Sequence, residues 1–464
     1  MTNNELRNEV NEAYIAHIRA HREENRKGMA AMREDLLHST LFNGERVISA
    51  PLGIPKVFSE EDIERFRYAT ETTHSICCKM IRHYIDDPAY RAAFPYSKEC
   101  EELILTDAGY DSLLPMARFD IFYNEETGDY KFCEINTDGT SAMNEDYVLD
   151  KAYFHSPAHQ AVIREYAYEN FDLFTPWIET FLRLYDTWKD PRGLAPHTIN
   201  IAITDFMDRG VVREFEEFAR RFQKAGVFCQ VVDARDMVYK DGLLYSPEGW
   251  VIDAIYRRAV TGDVLRRLDS CPDFLQAVKD GRVFLCGAFR SQVVHTKWTF
   301  LAMHLAETKR FLTEEESAFI DAHIPLTVDL SEDGITASST GISKEDVLAN
   351  KDAYIIKPYD DFGSFGVTAG ITVSQNEWEA AVNAAYGKGF ICQEYCTQYA
   401  TTNIDLSEEA GTDAADFRPF INMSGLYCYD GKFTGIFSRQ SPGGIIASHH
   451  NELDVPTYVV TGRR

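Results

Sequence analysis

The chain reads as a mixed α+β and α/β protein with a helical start, and three observations carry that reading. Residues 5–33 and the stretch after Ser59 are charged and almost unbroken by Gly or Pro. Residues 199–232 show a strand–helix–strand pattern, and the last third alternates short apolar runs with two helical ones. The 464 residues suffice for about three lobes, and with 45% apolar and 26% charged residues the composition is that of an ordinary globular protein, which excludes disorder, collagen-like repeats and disulfide scaffolds.

Taken in order, Ser59-Glu-Glu-Asp62 places a carboxylate three residues after a serine and just ahead of Ile63 and Phe66, a capping-box start for a helix. Two strand-like runs follow, Arg118–Asn124 and Tyr130–Asn136, around the turn-rich Glu125-Glu-Thr-Gly-Asp129. Residues 145–188 read as helical and end in a linker, Asp190-Pro-Arg-Gly193. Ile199–Thr204 is a buried strand; Val211, Phe215, Phe218 and Phe222 then recur at steps of four, three and four, one helix face. Gly226 marks that helix's end and Val227–Val232 the next strand; with Trp250–Tyr256 and Val283–Cys286 they make residues 195–290 a small open α/β domain. Further on, His295–Phe311 and Asn376–Tyr386 read as helices, and Ala353–Lys357 and Phe390–Tyr395 as strands. Phe417–Cys428 and Lys432–Arg439 flank the hairpin turn Tyr429-Asp-Gly431. No internal repeat or low-complexity tract is present.

Charge and cysteine usage exclude several classes of function. With 47 basic against 73 acidic residues the net charge is −26, which repels phosphate backbones and argues against nucleic-acid binding. No run of eighteen uncharged apolar residues exists, so no membrane span is expected, and the charged start MTNNELRNEV is unlike a secretory signal. The ten cysteines, Cys77 and Cys78 among them, form no disulfide framework and read as free thiols in a reducing compartment, so a cytoplasmic protein is expected. Cys392-x3-Cys396 reads as buried strand cysteines, and His155-x3-His159, lacking a third ligand, as a helix surface.

The two runs at 118–136 carry the most chemistry. If they pair antiparallel about Thr127, Arg118 faces Asn136, Asp120 faces Glu134 and Phe122 faces Phe132, all on one side of the ladder. Two carboxylates and an amide oxygen are a hard-oxygen set suited to Mg²⁺, and Arg118 could clamp a phosphate or carboxylate. The same residues also fit a solvated sheet face with ordinary ion pairs, and a one-residue slip would scatter them.

Tyr354-Ile-Ile-Lys357 leads into a loop with Gly363 and Gly366, offering a phosphate chain a point charge and exposed backbone N–H groups. A solvated lysine beside a surface loop is the alternative. Neither GxxxxGK[ST] nor GxGxxG occurs, and Asp361-Phe-Gly363 stands without the other kinase elements. Lys297 opens a helix, where a cation opposes the dipole. Arg439 is a third candidate cation, Ser441-Pro-Gly-Gly444 a loop that could close over a substrate, and His449-His450-Asn451-Glu452 reads as a loop.

Arg118-Phe-Asp120 with Glu134-Ile-Asn136-Thr-Asp138 resembles the RxD and ExN signatures of the glutathionylspermidine synthetase-like enzymes, circularly permuted ATP-grasp carboxylate–amine ligases. As in that family, the acidic strands precede the lysines, and Asp253-Ala-Ile-Tyr-Arg-Arg258 is similar to its pre-ATP-grasp segment; the resemblance spans about residues 100–445. It implies a helical region at 1–100, a metal-binding part of the ATP-grasp at 101–194, an inserted pre-ATP-grasp α/β domain at 195–290 and an ATP-binding lobe at 291–464. It further implies Mg²⁺ on Asp120, Glu134 and Asn136, and Arg118 on the transferred phosphoryl group. ATP phosphates would meet Lys297 and Lys357, with the Gly363–Gly366 loop closing over them; adenine would lie against Gln393, Glu394 and Tyr395, and Arg439 would face the reacting centre. After the ExN the family carries two serines near the acyl group, where this chain has Gly139 and Ser141, and no room remains for an amidase domain. The implied reaction joins a small-molecule or peptide carboxylate to an amine, polyamines included, through an acyl phosphate. A phosphotransferase and a non-catalytic binding protein of the same fold are the alternatives. Replacing Asp120 or Glu134 by alanine is expected to abolish ATP turnover and leave the fold intact.

Overall fold

Capping, alternation and aromatic pairing account for most of the elements seen in the computed structural model. It describes residues 3–195, 197–208, 212–337, 342–360, 366–407, 416–444, 446 and 452–464. Helices Asn3–Ala20 (α1) and Arg22–Leu37 (α2) precede a short strand, Lys56–Ser59 (β1), that the helical reading of the first hundred residues did not include. Helix Glu60–Asp86 (α3) begins at the expected capping box: the Asp62 amide donates to Ser59 Oγ at 3.2 Å, and the Ser59 amide to Asp62 Oδ2 at 2.8 Å.

Strands Met116–Tyr123 (β2) and Tyr130–Asn136 (β3) follow. The helical reading of 145–188 fails in its middle: helices Met143–Ala152 (α4), Pro157–Glu165 (α5) and Thr175–Tyr185 (α6) are interrupted by strand Tyr166–Asn170 (β4). Tertiary pairing overrides the helical pattern there, because β4 lies against the last strand of the chain and Tyr168 stacks on Tyr458 with ring centroids 5.4 Å apart.

Strands Asn200–Asp205 (β5) and Phe228–Asp233 (β6) flank helix Val212–Lys224 (α7), which buries Phe215, Phe218 and Phe222; Val211 lies outside the described residues. A small hairpin, Val238–Lys240 (β7) and Leu243–Tyr245 (β8), precedes Ala254–Arg257 (β9) and Phe284–Cys286 (β10). The expected strand at 250–256 thus starts four residues late. The order β10-β9-β5-β6 is parallel throughout, the open α/β unit that the βαβ pattern predicts.

The single helix expected at 295–311 is two short ones, Trp298–His304 and Ala306–Lys309, broken where the Leu305 backbone turns extended. Next come Thr327–Asp329 (β11), Tyr354–Pro358 (β12), Thr368–Ala369 (β13) and Phe390–Glu394 (β14), a four-stranded sheet in the order β11-β14-β12-β13. The chain ends with Ala400–Asn403 (β15), Arg418–Tyr429 (β16), Lys432–Ser441 (β17), Leu453–Val455 (β18) and Thr457–Arg463 (β19). Strands β18-β17-β16-β2-β3, with β15 on β16, form a six-stranded sheet, and β1-β19-β4 a three-stranded one. One face of the large sheet packs Phe119, Ile121, Phe132 and Ile135 against Phe66, Ile76 and Met80 of α3, which leaves the other face for the polar residues. No described helix is long and apolar enough to cross a membrane, and no disulfide links the ten cysteines.

Candidate active site

The β2–β3 pairing brings the polar residues together as the alternation suggests. Arg118 lies opposite Asn136 and Asp120 opposite Glu134. Beyond them the register slips at a bulge: Cys133 is the extra residue, Ile121 pairs Phe132, and Phe122 pairs Lys131 rather than Phe132. The bulge corrects the expected aromatic pair, and it lets Phe132 enter the core while Glu134 stays on the polar face. The Cys133 thiol donates to the Asp120 carbonyl across it at 3.3 Å.

Asp120 is fully buried and saturated. Arg118 Nε and Nη2 donate to its two oxygens at 2.7 and 3.0 Å, Arg439 Nη2 to Oδ2 at 2.5 Å and Asn136 Nδ2 to Oδ2 at 3.1 Å. Burial pushes the Asp120 carboxyl up, but Arg118 and Arg439 outweigh it and hold the group below its ordinary value. Strand β16 passes Asp120 at Gly425, where a Cβ would stand 2.9 Å from Asp120 Oδ1 and 2.7 Å from Arg118 Cδ, so only glycine fits. Arg439, the third candidate cation, is buried.

Glu134 is different: its side chain is 34% exposed, and Oε1 lies 3.7 Å from Lys297 Nζ. From the four-stranded sheet, Lys357 Nζ donates to Gln393 Oε1 at 2.8 Å, and Gln393 Nε2 to Thr327 Oγ1 at 2.9 Å. Burial lowers the Lys357 ammonium from its ordinary value; Lys297 adds to this, and Glu134 opposes it. A cavity opens between the two sheets. Glu134, Lys297, Lys357, Gln393, Glu394, Tyr395 and Arg439 line it, with Phe122, Ile355, Val367 and Met423 as its apolar surfaces. A second cavity shares Glu134 and Lys297 and adds Asn136, His295 and Asp360.

Other candidates lie apart. Arg118 and Asp120 sit behind Arg439, outside the cavity lining. The Ser141 carbonyl accepts from Arg118 Nη1 at 2.8 Å and from the Tyr427 hydroxyl. Gly366 adjoins the cavity-lining Val367 without lining the cavity itself, whereas Gly363 and the Asp361-Phe-Gly363 triplet lie outside the described residues, as does His449-His450-Asn451. Glu452 Oε2 is 3.5 Å from Arg439 Nη1, and Ser441 Oγ donates to the Gly443 carbonyl at 3.0 Å. Two readings need correction. Cys396 lies past the end of β14 and lines the cavity, so of that pair only Cys392 is a buried strand cysteine. His155 is exposed and pairs with Asp35 at 2.5 Å, but His159 is a core residue bonded to the Tyr14 hydroxyl at 2.8 Å, and burial brings it down to about 4. Among the described residues no group of three His, Cys, Asp or Glu side chains could hold a metal ion. Sequence reasoning missed Met423, His295 and Asp360; a glycine amid the strand residues 418–429 was the available sign of close packing on the site.

No protein-family model matches the chain, and no curated protein matches it. Among solved structures it is similar to the apo form of a glutathione synthetase-like effector from Globodera pallida, at 10% identity and a TM-score of 0.57 over 94% of this chain and 96% of that one. The match shows a shared fold. A protein provisionally named a gamma-glutamylcysteine synthetase, from Methylobacillus flagellatus, gives a TM-score of 0.41 at 12% identity over 83% and 88% of the two chains, too low to carry an argument.

Proposed function

We propose that the protein is an ATP- and Mg²⁺-dependent ligase that joins a carboxylate to an amine, related to the circularly permuted ATP-grasp enzymes of the glutathionylspermidine synthetase type. One observation carries this reading: a partly exposed carboxylate, Glu134, and three cations, Lys297, Lys357 and Arg439, drawn from distant parts of the chain, face one cavity between the two sheets. On this reading residues 1–100 are a helical region, 101–194 the metal-binding part, 195–290 the pre-ATP-grasp unit and 291–464 the ATP-binding lobe.

The donor set fits Mg²⁺ in part. Glu134 and the Asn136 amide oxygen would hold it, waters and phosphate oxygens completing the shell; Asp120 joins them only if its contacts with Arg118, Arg439 and Asn136 give way. Bound there, the ion would neutralise phosphate charge. Lys297 and Lys357 would hold the triphosphate, Gln393–Tyr395 the base, and Arg439, fixed on Asp120 with Arg118 behind it, would meet charge developing on the transferred phosphoryl group. A substrate carboxylate attacks the γ-phosphate, releasing ADP; an amine then displaces phosphate from the acyl phosphate. The low-lying Lys357 ammonium suits a buried cation awaiting an anion.

The substrate class is left open by Gly139. Its φ of +62° and a Cβ position only 2.5 Å from the Arg258 carbonyl exclude a serine there, so the first hydroxyl of the resembling family has no counterpart. The test is ADP release across pairs of carboxylates and amines with Mg²⁺, with the product weighed: an amide supports the reading, and a stable phosphorylated acid or no release with any pair refutes it.

A further inference from the structure

The pair Arg257-Arg258 at the end of β9 lines neither cavity, yet both side chains are buried and reach out of the parallel sheet to the loop 137–142 that follows Asn136. Arg257 is ion-paired with Asp138, whose other oxygen accepts from the Thr261 amide at 2.6 Å and hydroxyl at 2.7 Å. Arg258 donates Nη1 to the Thr140 carbonyl and Nη2 to Glu214 Oε2 at 2.9 Å. The other oxygen of Glu214 accepts from the Met143 amide at 3.0 Å, so this buried carboxylate of α7 caps the start of α4.

Between these two anchors lies Ser141, whose carbonyl holds Arg118 Nη1 at 2.8 Å. The backbone on either side is left-handed, Gly139 at φ +62° and Ala142 at φ +84°. Alanine persists in that conformation only where its surroundings impose it, and here the Arg258–Glu214 pair spans the segment. Arg118 has Nε and Nη2 on Asp120 and Nη1 on Ser141. Without the loop, Nη1 loses its carbonyl acceptor and the guanidinium is left with Asp120 and the neighbouring Tyr427 hydroxyl.

We propose that Arg258, held by Glu214, is a positioning residue for phosphoryl transfer: it fixes the 137–142 loop so that the Ser141 carbonyl sets the plane of Arg118. The inference rests on the ligase reading above, with Arg118 as the group that, through Asp120, fixes the cavity-lining Arg439 where phosphoryl charge develops. It also assigns the parallel sheet a part in catalysis without contact to nucleotide.

The test uses the full chain carrying Glu214→Gln, Arg258→Lys, Arg258→Met and Gly139→Ala; Glu214→Gln keeps shape and volume should Arg258→Met fail to fold. The expected result is a fall in kcat of about tenfold to a hundredfold with KM for ATP within about twofold, because misplacing a charge-stabilising group costs the transition state rather than binding. Arg258→Lys recovers part of the loss seen with Arg258→Met. In an Arg118→Lys background Glu214→Gln costs less than a further twofold. A full repeat of the loss in that background, or wild-type kcat in Glu214→Gln, overturns the proposal. Amide exchange at residues 140–144 separates it from the ligase reading. If wild type turns over no ATP with any acid–amine pair, that reading fails, while faster exchange in Glu214→Gln still supports the loop anchor and unchanged exchange overturns it.

Discussion

Asp120 and Glu134 face each other across one ladder, and the sequence gives no reason to expect different behaviour when either is replaced. The structure gives one. Asp120 is fully buried and is the shared counter-ion of Arg118 and Arg439, which are themselves only 7% exposed. Asp120→Asn keeps the shape but removes the charge the two buried guanidiniums share, leaving Arg118 with neutral acceptors and Arg439 with Glu452 at 3.5 Å. Breaking a buried ion pair by removing one partner costs about 3–5 kcal/mol, because the remaining charge stays desolvated. Glu134 is one-third exposed and stands 3.7 Å from a single lysine, a geometry worth at most about 1 kcal/mol. Asp120→Asn should therefore lower both the thermal transition and ATP turnover, whereas Glu134→Gln should abolish turnover with the transition within a degree or two of wild type. Melting curves without nucleotide, paired with ADP release on the same preparations, measure both quantities. An unmoved transition in Asp120→Asn would refute the counter-ion argument, and wild-type turnover in Glu134→Gln would remove the carboxylate from the proposed metal site.

Three further outcomes follow from the same geometry. On the ligase reading Mg·ATP should stabilise the wild type by about 2.7 kcal/mol at a hundred times Kd and Lys357→Met should abolish this while the unliganded transition stays close to wild type; retained stabilisation would place the phosphates elsewhere. Gly425→Ala drives a methyl group to 2.9 Å from Asp120 Oδ1 and should cost about 1–3 kcal/mol and most of the turnover, read by melting and ADP release. Asp454, pushed up to about 8 by burial and by Glu452, is protonated in the folded chain over a range where the unfolded chain has lost that proton. Its contribution to stability is full below about pH 4 and is lost as pH rises towards 8, so Asp454→Asn should flatten that part of a melting-temperature-against-pH profile; an unchanged slope would contradict the assignment.

Much of this site was legible because strand alternation and turn chemistry are local. Arg118, Asp120, Glu134 and Asn136 lie on one face for reasons contained in nineteen consecutive residues, and the capping box at Ser59 depends on four. The misreadings arose where distant pairing decides. β4 is a strand because β19 lies beside it, not because of anything in residues 166–170 alone. The Phe122–Phe132 pair was lost to a bulge that sends Phe132 into a core formed with α3. Arg439 carries no local sign of burial; it is buried because β17 runs next to β16, which in turn covers β2. His159 follows the same rule, since the hydroxyl it meets belongs to Tyr14 on α1.

The arrangement around Asp120 also bears on why charge chemistry of this kind needs the whole chain. Its two arginines stand at positions 118 and 439, the cavity lysines at 297 and 357, and the loop that anchors Arg118 is held from residues 214 and 258. Of these charges only Arg118 and Asp120 pair within one strand: without β17, Asp120 loses one of its two arginines, and without the arginine at the end of β9 the Thr140 carbonyl loses its guanidinium donor. Each buried ion is stable only once the others are in place, so the charged cluster should form late and cooperatively, after the apolar face of the six-stranded sheet has docked on α3. The polar face then inherits its geometry from packing on the opposite side of the same strands. A core substitution such as Phe132→Ala, which removes a fully buried ring beneath the bulge and at the cavity wall, should on this argument disturb Glu134 and Cys133 together.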